Sequence, residues 1–222
     1  MGLMLASVIQ YFIIALVIGV LSLTSYYDIK YREVDTYIWY LSIKIGFVLS
    51  FTSFYFLYPI RVLLFYYLIS LLSIIGIAIA YLTGHIGGGD LWASAFIALS
   101  LPINPLGGVL PPIILILLIG ALLELSTRTF INISACRKAN IFNKRCFSSS
   151  PIKAYDLIKE NKYKWYFAVS TSKDISYDDP HETVLMESKG DFDKIIWAEP
   201  GLPFLVFILI SIPVGLLVDM II

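Results

Sequence analysis

Six apolar runs, carrying at most one charged side chain each, constrain this chain more than any other feature. They are Leu3 to Ser25, Tyr37 to Leu57, Val62 to Thr83, Leu91 to Leu101, Val109 to Leu125 and Leu202 to Ile221. A bilayer core about 30 Å thick is crossed by about 20 mostly apolar helical residues. The expected fold is therefore a membrane all-α protein, a six-transmembrane-helix bundle. The fourth run is short for a span unless it takes in Asp90 and continues toward Pro105. The first exceeds the apolar core of a signal peptide and has no basic residue before it, so a retained helix is expected. Composition agrees: 59% of the residues are hydrophobic and 14% charged, against about 25% charged in an average soluble domain.

With a net charge of zero, the balance points to no nucleic-acid or acidic partner, and the placement of the charges carries the information. Twelve of the sixteen Lys and Arg lie between Ser126 and Trp197, so the positive-inside bias makes that segment cytoplasmic, with Arg128 and Lys194 at its ends. Lys30 and Arg32 follow the first span and fall on the same side. Residues 1 to 27 carry no charged side chain, and Arg61 alone marks the linkers after the second and fourth spans. Both termini are accordingly expected to be extracytoplasmic, in a multi-pass protein of the plasma membrane.

Three regions follow: 1–125 with five transmembrane helices, a soluble insert at 126–198, and a sixth helix at 199–222. The insert reads as a small cytoplasmic α+β subdomain between helices five and six. Its first stretch, Ser126 to Ser149, suits a helical extension or a linker. Ser150-Pro151 reads as an N-cap and first helical residue, opening a short helix through Ile158. Lys164 to Ser170, Thr183 to Met186 and Ile195 to Trp197 have strand character. Cys136 and Cys146 are expected to be incidental thiols, since a cytoplasmic segment disfavours a disulfide and two thiols with no further Cys nearby disfavour a metal site. No metal or other cofactor is expected, and the two histidines, His85 and His181, form no zinc-hydrolase motif.

Two carboxylates carry the chemistry. Asp28 closes the first apolar run in Ser25-Tyr26-Tyr27-Asp28-Ile29-Lys30-Tyr31-Arg32-Glu33, where it could simply be the polar end of a helix. Asp90 follows Gly87, Gly88 and Gly89 between two apolar runs, and an ionisable residue at membrane depth is costly unless it works. Three glycines weaken a helix start; they suit close approach of an extended substrate or movement of the Asp90 helix, or else a tight turn or close helix packing. Asp28 follows helix one and Asp90 precedes helix four, which puts both at the same, cytoplasmic, end. Two carboxylates sharing a site keep one proton near neutral pH, and such a pair can hydrolyse a peptide bond without metal or covalent intermediate.

Gly87-Gly88-Gly89-Asp90 fits the Gly-x-Gly-Asp signature of intramembrane aspartyl proteases. The segment Asp28-Ile29-Lys30-Tyr31-Arg32-Glu33-Val34-Asp35-Thr36-Tyr37-Ile38-Trp39 resembles the first-aspartate motif of archaeal preflagellin peptidases, relatives of the type IV prepilin peptidases. Trp197-x-x-Pro200-x-x-Pro203, entering the last helix, also looks like that family. The resemblance implies catalytic aspartates Asp28 and Asp90 on helices one and four of six, and an archaeal membrane aspartic endopeptidase. It implies class III leader peptides as substrates, on archaellin and type IV pilin-like precursors, cut at the cytoplasmic membrane face. The paired Cys-x-x-Cys motifs of many bacterial relatives are not in this sequence, and methyltransferase activity is not expected. Presenilin-like enzymes share Tyr-Asp and Gly-x-Gly-Asp but have more spans and a Pro-Ala-Leu motif.

Other classes stay open on the residues alone. Asp28 and Asp90 could line the polar pathway of a small ion-coupled transporter, although a carrier site belongs near the midplane, or the chain could be a non-catalytic membrane assembly subunit. Glu33 and Asp35 could draw in a basic leader or pair with Lys30 and Arg32. His85 could orient a carboxylate or belong to a turn. Trp39, Tyr40, Trp92 and Trp197 read as interfacial anchors, Lys44 as a snorkelling side chain, and Glu124 as a boundary marker beside Arg128. The residues fix neither the oligomeric state nor the preferred precursor.

Overall fold

A computed structural model describes residues 2–83, 86–141, 143–153, 166–168 and 195–221. The chain is mostly helical and divides into two compact units, Met1–Leu122 with Pro203–Ile222, and Leu123–Leu202. The helices are α1 (Gly2–Tyr31), α2 (Thr36–Leu57), α3 (Ile60–Leu82), α4 (Gly88–Ser100), α5 (Pro112–Lys138) and α6 (Phe204–Ile221). Five of these, all but α4, are long and apolar enough to cross a membrane. The protein is thus a multi-pass membrane protein.

The first unit is built on helix directions that particular contacts fix. Ser53 Oγ, late in α2, donates to the Ala6 carbonyl at the start of α1 (3.0 Å), so α1 and α2 are antiparallel. Early α2 meets mid α4 through the Trp39 and Phe96 rings, 6.4 Å apart. Further along both helices, a Cβ on Gly46 would collide with Ser100 Oγ. These two helices therefore run parallel, and Gly46 is where they cross most closely. Tyr67 Oη donates to the Leu99 carbonyl (3.4 Å), while Tyr81 lies beside Gly88, making α3 and α4 antiparallel. The common core joins Ile13, Val17 and Leu21 of α1, Trp39 of α2, Phe96 and Ile97 of α4, Ile113 and Ile116 of α5, and Leu205, Ile208 and Ile212 of α6.

Helix α4 has 13 residues, about 20 Å at 1.5 Å per residue, which is short of a full crossing. Its start is level with the start of α6, since Gly89 faces Leu205. Beyond it, residues Leu101, Pro102, Ile103 and Asn104 stay buried without helical structure. Asn104 Nδ2 donates to the Leu216 carbonyl (2.9 Å) and to Asp219 Oδ2 (3.0 Å), near the end of α6. Asp219 Oδ1 also accepts the Leu110 N–H (3.0 Å). So α4 and the four residues after it cover most of the length of α6.

In the second unit, α5 continues past the apolar run to Lys138, which realises the helical extension rather than the linker. It ends in a Schellman motif: Asn140 takes φ 54°, its N–H donates to the Arg137 carbonyl, and the Ile141 N–H donates to Cys136. A 3-10 turn at Lys144–Phe147 leads into a three-stranded antiparallel sheet, β1 (Ser150–Lys153), β2 (Tyr166–Ala168) and β3 (Ile195–Pro200), in the order β1-β3-β2. Two expectations are corrected here. Ser150-Pro151 opens a strand instead of a helix, because Ser150 to Lys153 pair with β3 and Pro151 sits on an edge strand, where a missing N–H is tolerated. Cys136 and Cys146 form a disulfide with Cα atoms 6.0 Å apart, because the Schellman turn folds the chain back on the end of α5. The Ile158 end of the expected helix, Thr183 to Met186, His85 and His181 lie outside the described residues.

Candidate active site

Asp28 stands in the last turn of α1. Its carbonyl accepts the Arg32 N–H (3.0 Å), and Arg32 then leaves the helix with φ 61°, an uncommon conformation for a residue with a side chain. Burial lowers the Arg32 guanidinium below its usual range, and the charge of Asp28 opposes that shift. Asp35 N-caps α2, its Oδ1 accepting the Tyr37 N–H (2.8 Å). Lys30 turns to Tyr26 Oη (3.3 Å) and lies over the Tyr31 ring rather than pairing with Asp35 or Glu33.

Asp90 is the third residue of α4, which Gly87 caps with an extended backbone (ψ 155°). At that position a carboxylate meets the positive end of the helix dipole. It folds back over the turn, since a Cβ on Gly87 would stand 3.4 Å from Asp90 Oδ2. Asp28 and Asp90 are both half-buried. They lie at the same end of the first unit, because α2 begins just after Asp28 and runs parallel to α4, and α1 packs directly against α4.

The glycines are not dictated by this packing. A Cβ at Gly88 would meet the Tyr81 ring at 3.6 Å and one at Gly89 would meet Leu205 at 3.9 Å, both ordinary contacts. None of the three takes a positive φ. Neither close packing nor a left-handed backbone therefore requires glycine at these three positions, which form a bare backbone leading to a carboxylate.

The match to a known family spans the elements that hold these residues. The model of the type IV leader peptidase family fits residues 12–127, over half of the chain. The chain belongs to the type IV leader peptidase family. No curated protein matches it. The family region includes Asp28, Gly87 to Gly89 and Asp90, and it ends within α5, before the strands.

Within this leader peptidase, three polar residues near the aspartates escaped sequence reasoning. Trp39, expected at the interface, is fully buried (0% exposed); it is corrected because its indole faces α4 and packs on Phe96. Ser25 is buried (4%) three residues before Asp28. Arg32 read as a topology marker, a partner for Glu33 or Asp35 and part of the first-aspartate motif, and what that reading missed is that it sits half-buried beside Asp28. Tyr40 and Trp92 are exposed, and Lys44 lies over the Tyr40 ring (3.9 Å), as expected of side chains reaching for an interface. Glu124 pairs with Arg128 (2.6 Å). No group of three or more His, Cys, Asp or Glu suited to a metal occurs among the described residues.

Proposed function

We propose that this chain is an aspartic endopeptidase that removes class III leader peptides from archaellin and type IV pilin-like precursors, with Asp28 and Asp90 as the working pair. The observation that carries this reading is the common end shared by the two aspartates, on α1 and α4, inside the leader-peptidase family region. One carboxylate is ionised and takes a proton from water as the water adds to the scissile carbonyl carbon. The other is protonated and donates to the carbonyl oxygen. When the tetrahedral adduct collapses, the proton taken from water passes to the leaving nitrogen, and a hydroxyl of the adduct returns a proton to the other carboxylate as the C–N bond breaks. The apparent pKa values belong to the pair and not to either residue alone.

Six crossings fit the geometry. Helix α4 and the four buried, bent residues after it together cover about 21 Å along the bundle, the rise of α6 from Leu205 to Asp219. Six crossings keep residues 1–125 and 199–222 as the membrane body and 126–198 as a soluble insert on the same side as Asp28 and Asp90. The basic residues of that insert support a cytoplasmic assignment, with both termini outside, in an archaeal plasma membrane. Gly87, Gly88 and Gly89 then give the extended leader junction room beside Asp90, and neither metal nor cofactor takes part. A carrier is less well supported, since both carboxylates sit at helix ends.

The test is cleavage of a purified precursor by the full chain in detergent, read by N-terminal analysis of the product. Cleavage just before the hydrophobic helix, lost in both Asp28→Asn and Asp90→Asn, is the expected result. Proton or solute flux in liposomes without cleavage would replace this reading with the carrier.

A further inference from the structure

We propose that Ser25 Oγ and Trp39 Nε1 form a polar floor beneath the aspartates that seats the hydrolytic water against Asp28, an inference that rests on the leader-peptidase reading. Both side chains are buried, and neither polar atom has a hydrogen-bond partner among the described residues. A buried donor or acceptor left unsatisfied costs about 1–3 kcal/mol, and native proteins meet that need with a protein group or a held water. Other hydroxyls on the same helices use the backbone one turn behind: Thr24 bonds Leu21 (3.2 Å), Ser94 bonds Asp90 (2.7 Å) and Ser211 bonds Ile208 (2.7 Å). Ser25 does not, although it has the same kind of carbonyl within reach. A buried tryptophan likewise finds a partner for its N–H in most proteins.

Their position gives these two atoms a use. Ser25 and Asp28 are three apart on one continuous helix, so their Cβ atoms are about 5–6 Å apart on one face, a gap that one water bridges. Trp39 lies in the first turns of α2, at the aspartate end, yet its ring reaches Phe96, six residues deeper in α4 than Asp90. The indole therefore lies on the core side of the carboxylates, in the same buried cluster as Leu21, one turn before Ser25 on α1. Ser70 and Ser100 also have unpartnered hydroxyls, but they stand in mid α3 and at the far end of α4. A held water needs two to four polar partners. Here it gives one hydrogen to Asp28 and one to Ser25 Oγ, and accepts from Trp39 Nε1. One lone pair remains for the scissile carbon. Ser25 and Trp39 are positioning residues, since they act through the water and Asp28.

The test uses the full chain in detergent with a purified precursor. Ser25→Thr and Ser25→Val have nearly the same shape and differ in the hydroxyl. We expect Ser25→Val to lose at least about tenfold in kcat with KM within about twofold, and Ser25→Thr to keep most of its kcat at the same thermal midpoint. Trp39→Phe, which keeps an aromatic ring in the core, should show the same kcat-selective loss and gives the reading if position 25 tolerates neither change. Wild-type kcat in Ser25→Val or in Trp39→Phe overturns the polar floor while leaving the peptidase reading intact. A wild type that cleaves no precursor overturns the peptidase reading and the floor together.

Discussion

Reduction of the Cys136–Cys146 disulfide should loosen the second unit and leave the helix bundle unchanged. The bridge closes a loop of sequence separation 10 between the Schellman end of α5 and the 3-10 turn that feeds β1. In the chain-entropy account, closing such a loop removes about 9 cal/mol/K from the unfolded chain, so the bridge stabilises by about 2.7 kcal/mol at 25 °C. The described part of this unit is held besides by the Ser150 Oγ bond to Asn132 Oδ1 (2.7 Å) and by the pairing of β3 with β1 and β2. Both cysteines are fully buried, so thiol reductants reach the sulfurs slowly, and this is how the bridge persists in a segment whose charges argue for the cytoplasm. Amide hydrogen exchange on the full chain in detergent, oxidised against reduced, reads the effect. A loss of about 2.7 kcal/mol corresponds to about 100-fold faster exchange in β1 and β3 wherever exchange follows unfolding of this unit. Amides of α2 and α4 should keep their rates. Exchange in β1 changed by less than about threefold, or two alkylatable thiols in protein quenched directly from cells, would refute the reasoning.

Asp28→Asn and Asp90→Asn should each abolish precursor cleavage while the protein remains inserted and elutes from a sizing column as the wild type does. Gly88→Ala should raise the thermal midpoint, because Ala favours a helix over Gly by about 0.8–1.0 kcal/mol and its Cβ meets only ordinary contact with Tyr81; cleavage should fall in the same variant if the bare backbone admits the substrate. Asn104→Ala removes both bonds from Nδ2 and leaves buried Asp219 with the Leu110 N–H as its remaining donor among the described residues; the expected loss is about 1–3 kcal/mol, measured as a lower thermal midpoint.

How much of this was legible in the sequence depended on whether an element is set by its own residues. The apolar runs predict α1, α2, α3 and α6 closely, since length and hydropathy alone decide a lipid-facing helix. Asp28 and Asp90 were legible because the spans fix which end each falls on. Asn104 and Asp219 were not, because a bond between residues 115 apart leaves no local trace. Ser150-Pro151 misled because its helix signal is local, whereas the pairing of Pro151 with Trp197 is a tertiary fact that overrides it. Trp39 misled in a similar way: a tryptophan near a span end suits the interface until the parallel packing of α2 on α4 turns it inward.

The depth of Asp90 follows from the two ends of α4 being held differently. At its far end, the buried stretch Leu101 to Asn104 is tied to Leu216 and Asp219 of α6 by hydrogen bonds that have no water to compete with them. Along its length, Gly46 lets α2 come close enough to lock Phe96 and Ser100. At the near end, Gly87 has no side-chain cap, and Gly88 and Gly89 make only loose contacts. A helix clamped at one end and bare at the other has its height set from the clamped end. Asp90 sits in its first turn. Asp28, by contrast, is held by a continuous α1 and by the left-handed turn at Arg32. The residues that set the depth of Asp90 therefore include Asn104 and Asp219 at the opposite end of the bundle.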